Sequence, residues 1–126
     1  MSGTADTRRR AWRYGRLAEA AAAGWLRLKG YRVVARRFRT PLGEVDLVVR
    51  RGRTLAFVEV KARHEAAAAL EAVTPRQRGR IGRAAQAFLV RRPDLADCDL
   101  RFDVVIVGRG RPPRHLADAW RPGFQG

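Results

Sequence analysis

Apolar side chains at Tyr14, Leu17, Ala18, Ala21, Trp25 and Leu28 recur every three or four residues, a spacing that predicts an amphipathic helix ended by Gly30. The pattern then switches to alternation. Residues 31–39 read as a strand, Thr40-Pro41-Leu42-Gly43 as a turn, 44–50 as a second strand and 54–63 as a third, with Gly52 in the turn between the last two. The third run is apolar on both faces, Leu55 and Phe57 on one and Ala56, Val58 and Val60 on the other, which marks a central strand. An alanine-rich connection at 65–72 leads to Thr74 and Pro75, residue types suited to a helix N-cap and first helical position. The helix that follows has Ile81, Ala84, Ala85, Phe88 and Leu89 on one face, Arg76, Arg80 and Arg83 on another, and Pro93 at its end. Residues 100–107 form the last clear strand. The tail beyond Gly108 is rich in Gly and Pro, with a short apolar stretch at 116–120 placed to dock on the sheet.

The order helix, three strands, helix, strand predicts an α/β fold, a central mixed β-sheet flanked by helices with an αβββαβ core. With 126 residues and 46% hydrophobic content the chain has room for one core, expected over 8–120, between a disordered N-terminus at 1–7 and a flexible tail at 121–126. No apolar run approaches the roughly 20 residues needed to cross a membrane, so no membrane partner is expected. The N-terminus lacks the apolar segment of a secretory signal, so a cytoplasmic location is expected. Cys98 is the only cysteine, and neither His64 nor His115 has metal-binding spacing with it, so any metal should be a hard one.

Charge narrows the class of partner. Lys and Arg number 27 against 12 Asp and Glu, and a formal charge of +15 points to a polyanion, nucleic acid first. Only Lys29 and Lys61 among the basic residues are lysine. A lysine in a strand core of an arginine-biased chain invites a chemical reason, because an ammonium can release its proton and a guanidinium cannot.

Alternation puts Asp46 on one face of the second strand and Glu59 and Lys61 together on one face of the third. With the loop centred on Arg51-Gly52, Asp46 lies diagonal to Glu59, about 7–8 Å away along the backbone, near enough for two carboxylates to share one ion. A one-residue slip would separate them. Carboxylates on so basic a protein repel the phosphates that the rest of the surface attracts, and a divalent cation resolves that conflict. Asp46, Glu59 and a backbone carbonyl near Val60 form a donor set suited to Mg²⁺ (or Mn²⁺), with Lys61 placed to orient or deprotonate an attacking water. Against this stands a cross-strand ion-pair ladder on a wet sheet face. The apolar neighbours on the same strands argue against a wet face, and a partly buried carboxylate needs a cation.

Glu19, on the first helix, is placed either to reach the same metal or to pair with Arg16 or Arg27. Arg76 and Arg78 fall in the first turn of the second helix, where the dipole disfavours cations unless a phosphate is bound. Candidate nucleic-acid contacts are Arg16, Arg39, Arg63, Arg76, Arg78 and Arg80. Trp12, Trp25 and Trp120 offer surfaces for base stacking, although Trp25 falls on the helix's core stripe, and His64 is most simply a loop residue.

The segments Gly15-Arg16-Leu17-Ala18-Glu19, Gly30-Tyr31, Gly43-Glu44-Val45-Asp46-Leu47-Val48, Phe57-Val58-Glu59-Val60-Lys61-Ala62-Arg63 and Arg101-Phe102-Asp103-Val104-Val105 resemble the bacterial UPF0102 (YraN-like) family over roughly residues 12–120. That resemblance implies a PD-(D/E)XK fold, similar to Holliday-junction resolvases and restriction endonucleases. It further implies Asp46 and Glu59 as metal ligands, Lys61 as the catalytic lysine and Glu19 as an auxiliary acidic residue. The chain departs from the family pattern at Arg37, where the family has asparagine, and at Asp118-Ala119-Trp120, where it has Asn-Ala-Phe.

Three functions compete. The first is a metal-dependent endonuclease, acting on structured DNA as the resolvase resemblance suggests, with a homodimer as a natural way to address both strands. The second is a non-catalytic nucleic-acid-binding module with a nuclease-like fold. The third is an assembly subunit whose arginines meet an acidic protein or RNA, for which partner binding would depend weakly on salt.

Overall fold

The computed structural model describes residues 3–63 and 66–121, with side chains from Gly15 onward apart from Ala66. Helix α1 (Gly3–Leu28) is followed by strands β1 (Arg32–Thr40), β2 (Gly43–Arg51) and β3 (Thr54–Ala62). Helices α2 (Ala66–Ala72) and α3 (Pro75–Arg91) and a 3₁₀ turn (Pro93–Leu95) then lead to β4 (Asp99–Val107) and β5 (Arg114–Trp120). The strands form one sheet in the order β1-β2-β3-β4-β5. All neighbours are antiparallel except β3 and β4, which run parallel because α2 and α3 carry the chain across between them. The predicted αβββαβ core is present, and the architecture is consistent with a restriction-endonuclease-like fold.

Each face of the sheet is covered by a helix. On one side Val45, Val48, Leu55, Phe57, Phe102 and Val104 pack with Ile81, Ala84, Ala85 and Phe88 of α3, the stripe predicted for that helix. Phe57 is the centre of this core, stacked on Phe102 at 5.6 Å and edge-on to Phe88 at 6.0 Å. Burying such a side chain contributes about 1.5–3 kcal/mol. On the other side Leu47, Val49, Ala56, Val58 and Val105 meet Ala22, Ala23 and Leu26 of α1.

Several expectations need correction. The buried face of α1 carries Ala18, Glu19, Ala22, Ala23 and Leu26, whereas Leu17 (68% exposed) and Leu28 (84%) point away. The larger apolar residues suggested the wrong stripe, since alanines pack this helix on the sheet. The helix also includes Gly3–Thr7, expected to be unstructured; no proline interrupts this stretch. The alanine-rich connection contains α2, and the stretch at 116–120 belongs to a full fifth strand. His64 and the tail beyond Arg121 lie outside the described residues.

The β2–β3 loop is displaced by one residue from its expected position. Arg51 pairs with Thr54 and Leu47 with Val58, so the loop is Gly52-Arg53. Gly52 takes a φ of 60°, the left-handed conformation a two-residue hairpin needs at its first loop position. Continuing this register sets Asp46 directly across from Glu59 and not diagonal to it.

Candidate functional site

Asp46 and Glu59 come together where β2 and β3 leave their ladder. Asp46 Oδ2 accepts the Val60 amide at 2.8 Å, which anchors one carboxylate oxygen to the neighbouring strand. Glu59, only 6% exposed, lines the same cavity as Asp46. Burial pushes its carboxyl up from 4.5 to about 9, helped by Asp46 and only partly opposed by Lys61. A buried carboxyl beside a second one favours a proton or a cation between the two over a second bare charge.

Lys61 Nζ lies 3.7 Å from Glu59 Oε2 and 3.2 Å from Gln77 Oε1, to which it donates. Gln77 reaches it because Thr74 caps α3. Thr74 Oγ1 accepts the Gln77 amide at 3.2 Å and Pro75 occupies the first helical position, which fixes the first turn against the end of β3. The three elements enclose a cavity of about 400 Å³. β2 contributes Glu44 and Asp46, β3 Glu59, Val60 and Lys61, and the start of α3 Thr74, Arg76, Gln77 and Arg80. The strands therefore contribute three acids together with Lys61, and the start of α3 contributes two arginines.

Gly43 makes this arrangement possible. A Cβ there would fall 1.8 Å from the Arg80 carbonyl oxygen, so only glycine lets the β1–β2 turn lie against α3 and bring Glu44 and Asp46 to the helix start.

The remaining candidate residues divide. Arg76 and Arg80 line the cavity, and Arg39 pairs with the lining Glu44 at 3.8 Å. Arg78 is committed to the fold: its Nε donates to the Val73 carbonyl at 3.0 Å and its guanidinium lies over the Trp120 ring. Arg63 is exposed and bonds its neighbour's carbonyl, and Arg16 is exposed on α1; neither lines the cavity. Trp120 is buried against Phe102, and the Trp12 side chain lies outside the described residues.

Glu19 does not join Asp46 and Glu59. It is buried under α1 and accepts from Arg37 Nε at 3.1 Å, a partner different from the expected Arg16 or Arg27. Among the described residues no group of three or more His, Cys, Asp or Glu side chains is gathered to hold a metal. Gln77 was missed altogether; its only signal was its place three residues after a Thr-Pro cap.

A second buried acid lies on the α1 side of the sheet. Asp103 accepts two bonds from Arg101 (2.9 and 2.8 Å), the Asp118 amide (3.0 Å) and a bond to His115 Nε2 (2.7 Å). Arg101 also donates to the Tyr31 hydroxyl, and Lys29 lies 2.6 Å from His115 Nδ1. Burial alone would raise the Asp103 carboxyl, but the bonds from His115, Arg101 and Asp118 outweigh it and hold the group below the ordinary range.

Fold and site together define an α/β domain of nuclease-like architecture with paired carboxylates and a lysine at the end of its central strands. The chain belongs to the uncharacterised protein family UPF0102, whose model matches residues 18–107. It is 65% identical over 112 residues to a UPF0102 protein of Parvibaculum lavamentivorans, covering 89% of this chain and 84% of the relative. A second UPF0102 protein, from Paramagnetospirillum magneticum, is 56% identical over 115 residues, covering 88% and 89%. No described helix is long and apolar enough to cross a membrane.

Proposed function

We propose that this chain is a metal-dependent endonuclease that hydrolyses phosphodiester bonds in nucleic acid, structured DNA foremost, and works in the cytoplasm. The observation that carries the reading is that Asp46 and Glu59, opposed across β2 and β3, line one cavity together with Lys61, Arg76 and Arg80. The donor set fits Mg²⁺ or Mn²⁺. It consists of hard oxygens, it lacks one positive charge, and with only two carboxylates it suits an ion that keeps several waters.

Asp46, Glu59 and the Val60 carbonyl would hold the ion, which when bound lowers the pKa of water and offsets negative charge on the phosphate. Asp46 is oriented for this by the Val60 amide. Lys61, steadied by Gln77, would position the attacking water or neutralise charge developing on the phosphoryl oxygens. Arg76 and Arg80 would bind phosphate oxygens across the cavity, with Arg39 at its rim. Arg16 and Arg63 would meet phosphates further along a substrate, and Arg78 would not take part.

The test is cleavage of labelled single-stranded, duplex, flap and four-way-junction DNA with Mg²⁺ or Mn²⁺. Wild type is expected to cut, and Asp46→Ala and Lys61→Ala to lose at least about a hundredfold in rate. Binding without cutting on every substrate, unchanged by both substitutions, would leave the non-catalytic binding module in its place.

A further inference from the structure

The β1–β2 turn, which leads into the cavity-lining Glu44, presents an apolar tip. Leu42 is 64% exposed, yet the turn beneath it is held from three directions. Thr40 Oγ1 accepts the amides of Leu42 (3.2 Å) and Gly43 (3.0 Å) and donates to the Gly43 carbonyl (2.9 Å). Arg83 Nε donates to the Leu42 carbonyl at 3.1 Å, and Gly43 lies flush against the Arg80 backbone. All of these contacts use backbone atoms of Leu42 and Gly43, so the Leu42 side chain has no part in holding the turn. Two residues further on, Glu44 lines the cavity, and so does Arg80 beneath the turn.

A single exposed leucine is ordinary on a protein surface. Leu17, Leu28 and Val90 are more exposed still, but they lie on α1 and α3 and none neighbours a cavity-lining residue within two positions along the chain. Leu42 differs in three ways: its base is immobilised, Arg80 and Arg83 hold the turn on which it stands, and it lies two residues from the cavity-lining Glu44. Apolar side chains held this way enter base stacks, and the cost of opening a stack is lowest where it is already interrupted.

We propose that the Pro41-Leu42 tip is a rigid wedge that stacks on an unpaired or unstacked base beside the phosphate held in the cavity. The tip selects nucleic acid whose stack is already broken over continuous duplex. This inference rests on the nucleic-acid reading above but not on cleavage.

The test uses the full chain in chelator, so that nothing is cut. It is mixed with continuous duplex or with duplex carrying a single-stranded branch, each with a fluorescent adenine analogue next to the branch position. Wild type and Leu42→Phe are expected to raise the emission of the branched duplex severalfold. Leu42→Ser should lose that rise and bind the branched form about tenfold more weakly, with its affinity for continuous duplex and its melting temperature unchanged. A Leu42→Ser protein that keeps both the emission rise and the preference would overturn the wedge. The two readings fail separately: a chain that unstacks the base but never cuts with Mg²⁺ refutes the nuclease alone, and one that cuts without this preference refutes the wedge alone.

Discussion

Replacing Glu59 by glutamine keeps the side chain's shape and removes a charge that the fold resists. In the metal-free protein the Glu59 carboxyl is raised from 4.5 to about 9, by burial first and by Asp46 second. Between those values the folded state holds a proton that the unfolded chain has released. The stabilisation from that proton is fully present below the unfolded value and is lost as pH rises towards the folded one. The slope for one proton is at most about 1.4 kcal/mol per pH unit, so up to about 4 kcal/mol disappears between about pH 5 and about pH 8. Glu59→Gln has no such slope. Urea unfolding in chelator across that range should therefore find the two proteins similar at the acid end and the variant more stable by a few kcal/mol at the alkaline end. Added Mg²⁺ should restore wild type at the alkaline end and move the variant far less, because the variant has lost one of the two carboxylates that would hold the ion. Parallel stability curves for the two proteins would refute the reasoning, since they would mean that Glu59 is ionised and hydrated without help.

Gly43→Ala should lower stability by about 2 kcal/mol or more in chemical denaturation, because its Cβ has no space beside the Arg80 carbonyl oxygen. Arg76→Ala should weaken DNA binding and reduce the salt dependence of log affinity by about one, measured by fluorescence anisotropy at several salt concentrations. Arg78→Ala should leave that slope alone and cost about 1 kcal/mol of stability, through the lost Val73 and Trp120 contacts. Asp103→Ala should destabilise by about 3–5 kcal/mol in thermal or urea unfolding, as it strands Arg101 and His115. The Asp103 carboxyl is held low, so its contribution to wild type is present above the unfolded value near 3.8 and lost as pH falls through the folded one.

The strands and α3 were legible because periodicity and local chemistry agree in them. In α3 the stripe from Ile81 to Phe88 and the Thr74-Pro75 cap point to one helix in one orientation. In α1 they conflict, since the bulkier residues Leu17 and Leu28 lie off the face on which Ala22 and Ala23 are packed. The β2–β3 register was ambiguous by one residue because both Arg51-Gly52 and Gly52-Arg53 read as loops. The carboxylate pair was visible on a shared face, but its direct opposition was not. Glu19's partner depended on a feature that alternation cannot reveal. β1 is irregular between Val33 and Ala35, and Arg37 takes a φ of 50°, with its guanidinium bonded to Glu19. Arg37 and Asp118 are the non-glycine residues of positive φ among those described, a conformation that residues of either type rarely adopt. β5 was hidden for a similar reason, as the turn in its pairing at Asp118 breaks the alternation that would have announced it.

Two acids buried in the same sheet differ in the partners that surround them. Asp103 and Glu59 sit on adjacent, parallel strands, on opposite faces, and both are nearly inaccessible. Burial opposes ionisation in each. Asp103 is surrounded by donors, the Arg101 guanidinium, His115 and the Asp118 amide, and ends below its ordinary range. Glu59 is buried beside a second carboxylate, with Lys61 3.7 Å away and bonded to Gln77, and ends far above it. Position in the fold does not explain the difference; the supply of positive charge does. A structural acid comes with its partners already in place. Glu59 and Asp46 are left one positive charge short in a cavity with room for water and a phosphate oxygen, and a divalent cation would make up that deficit.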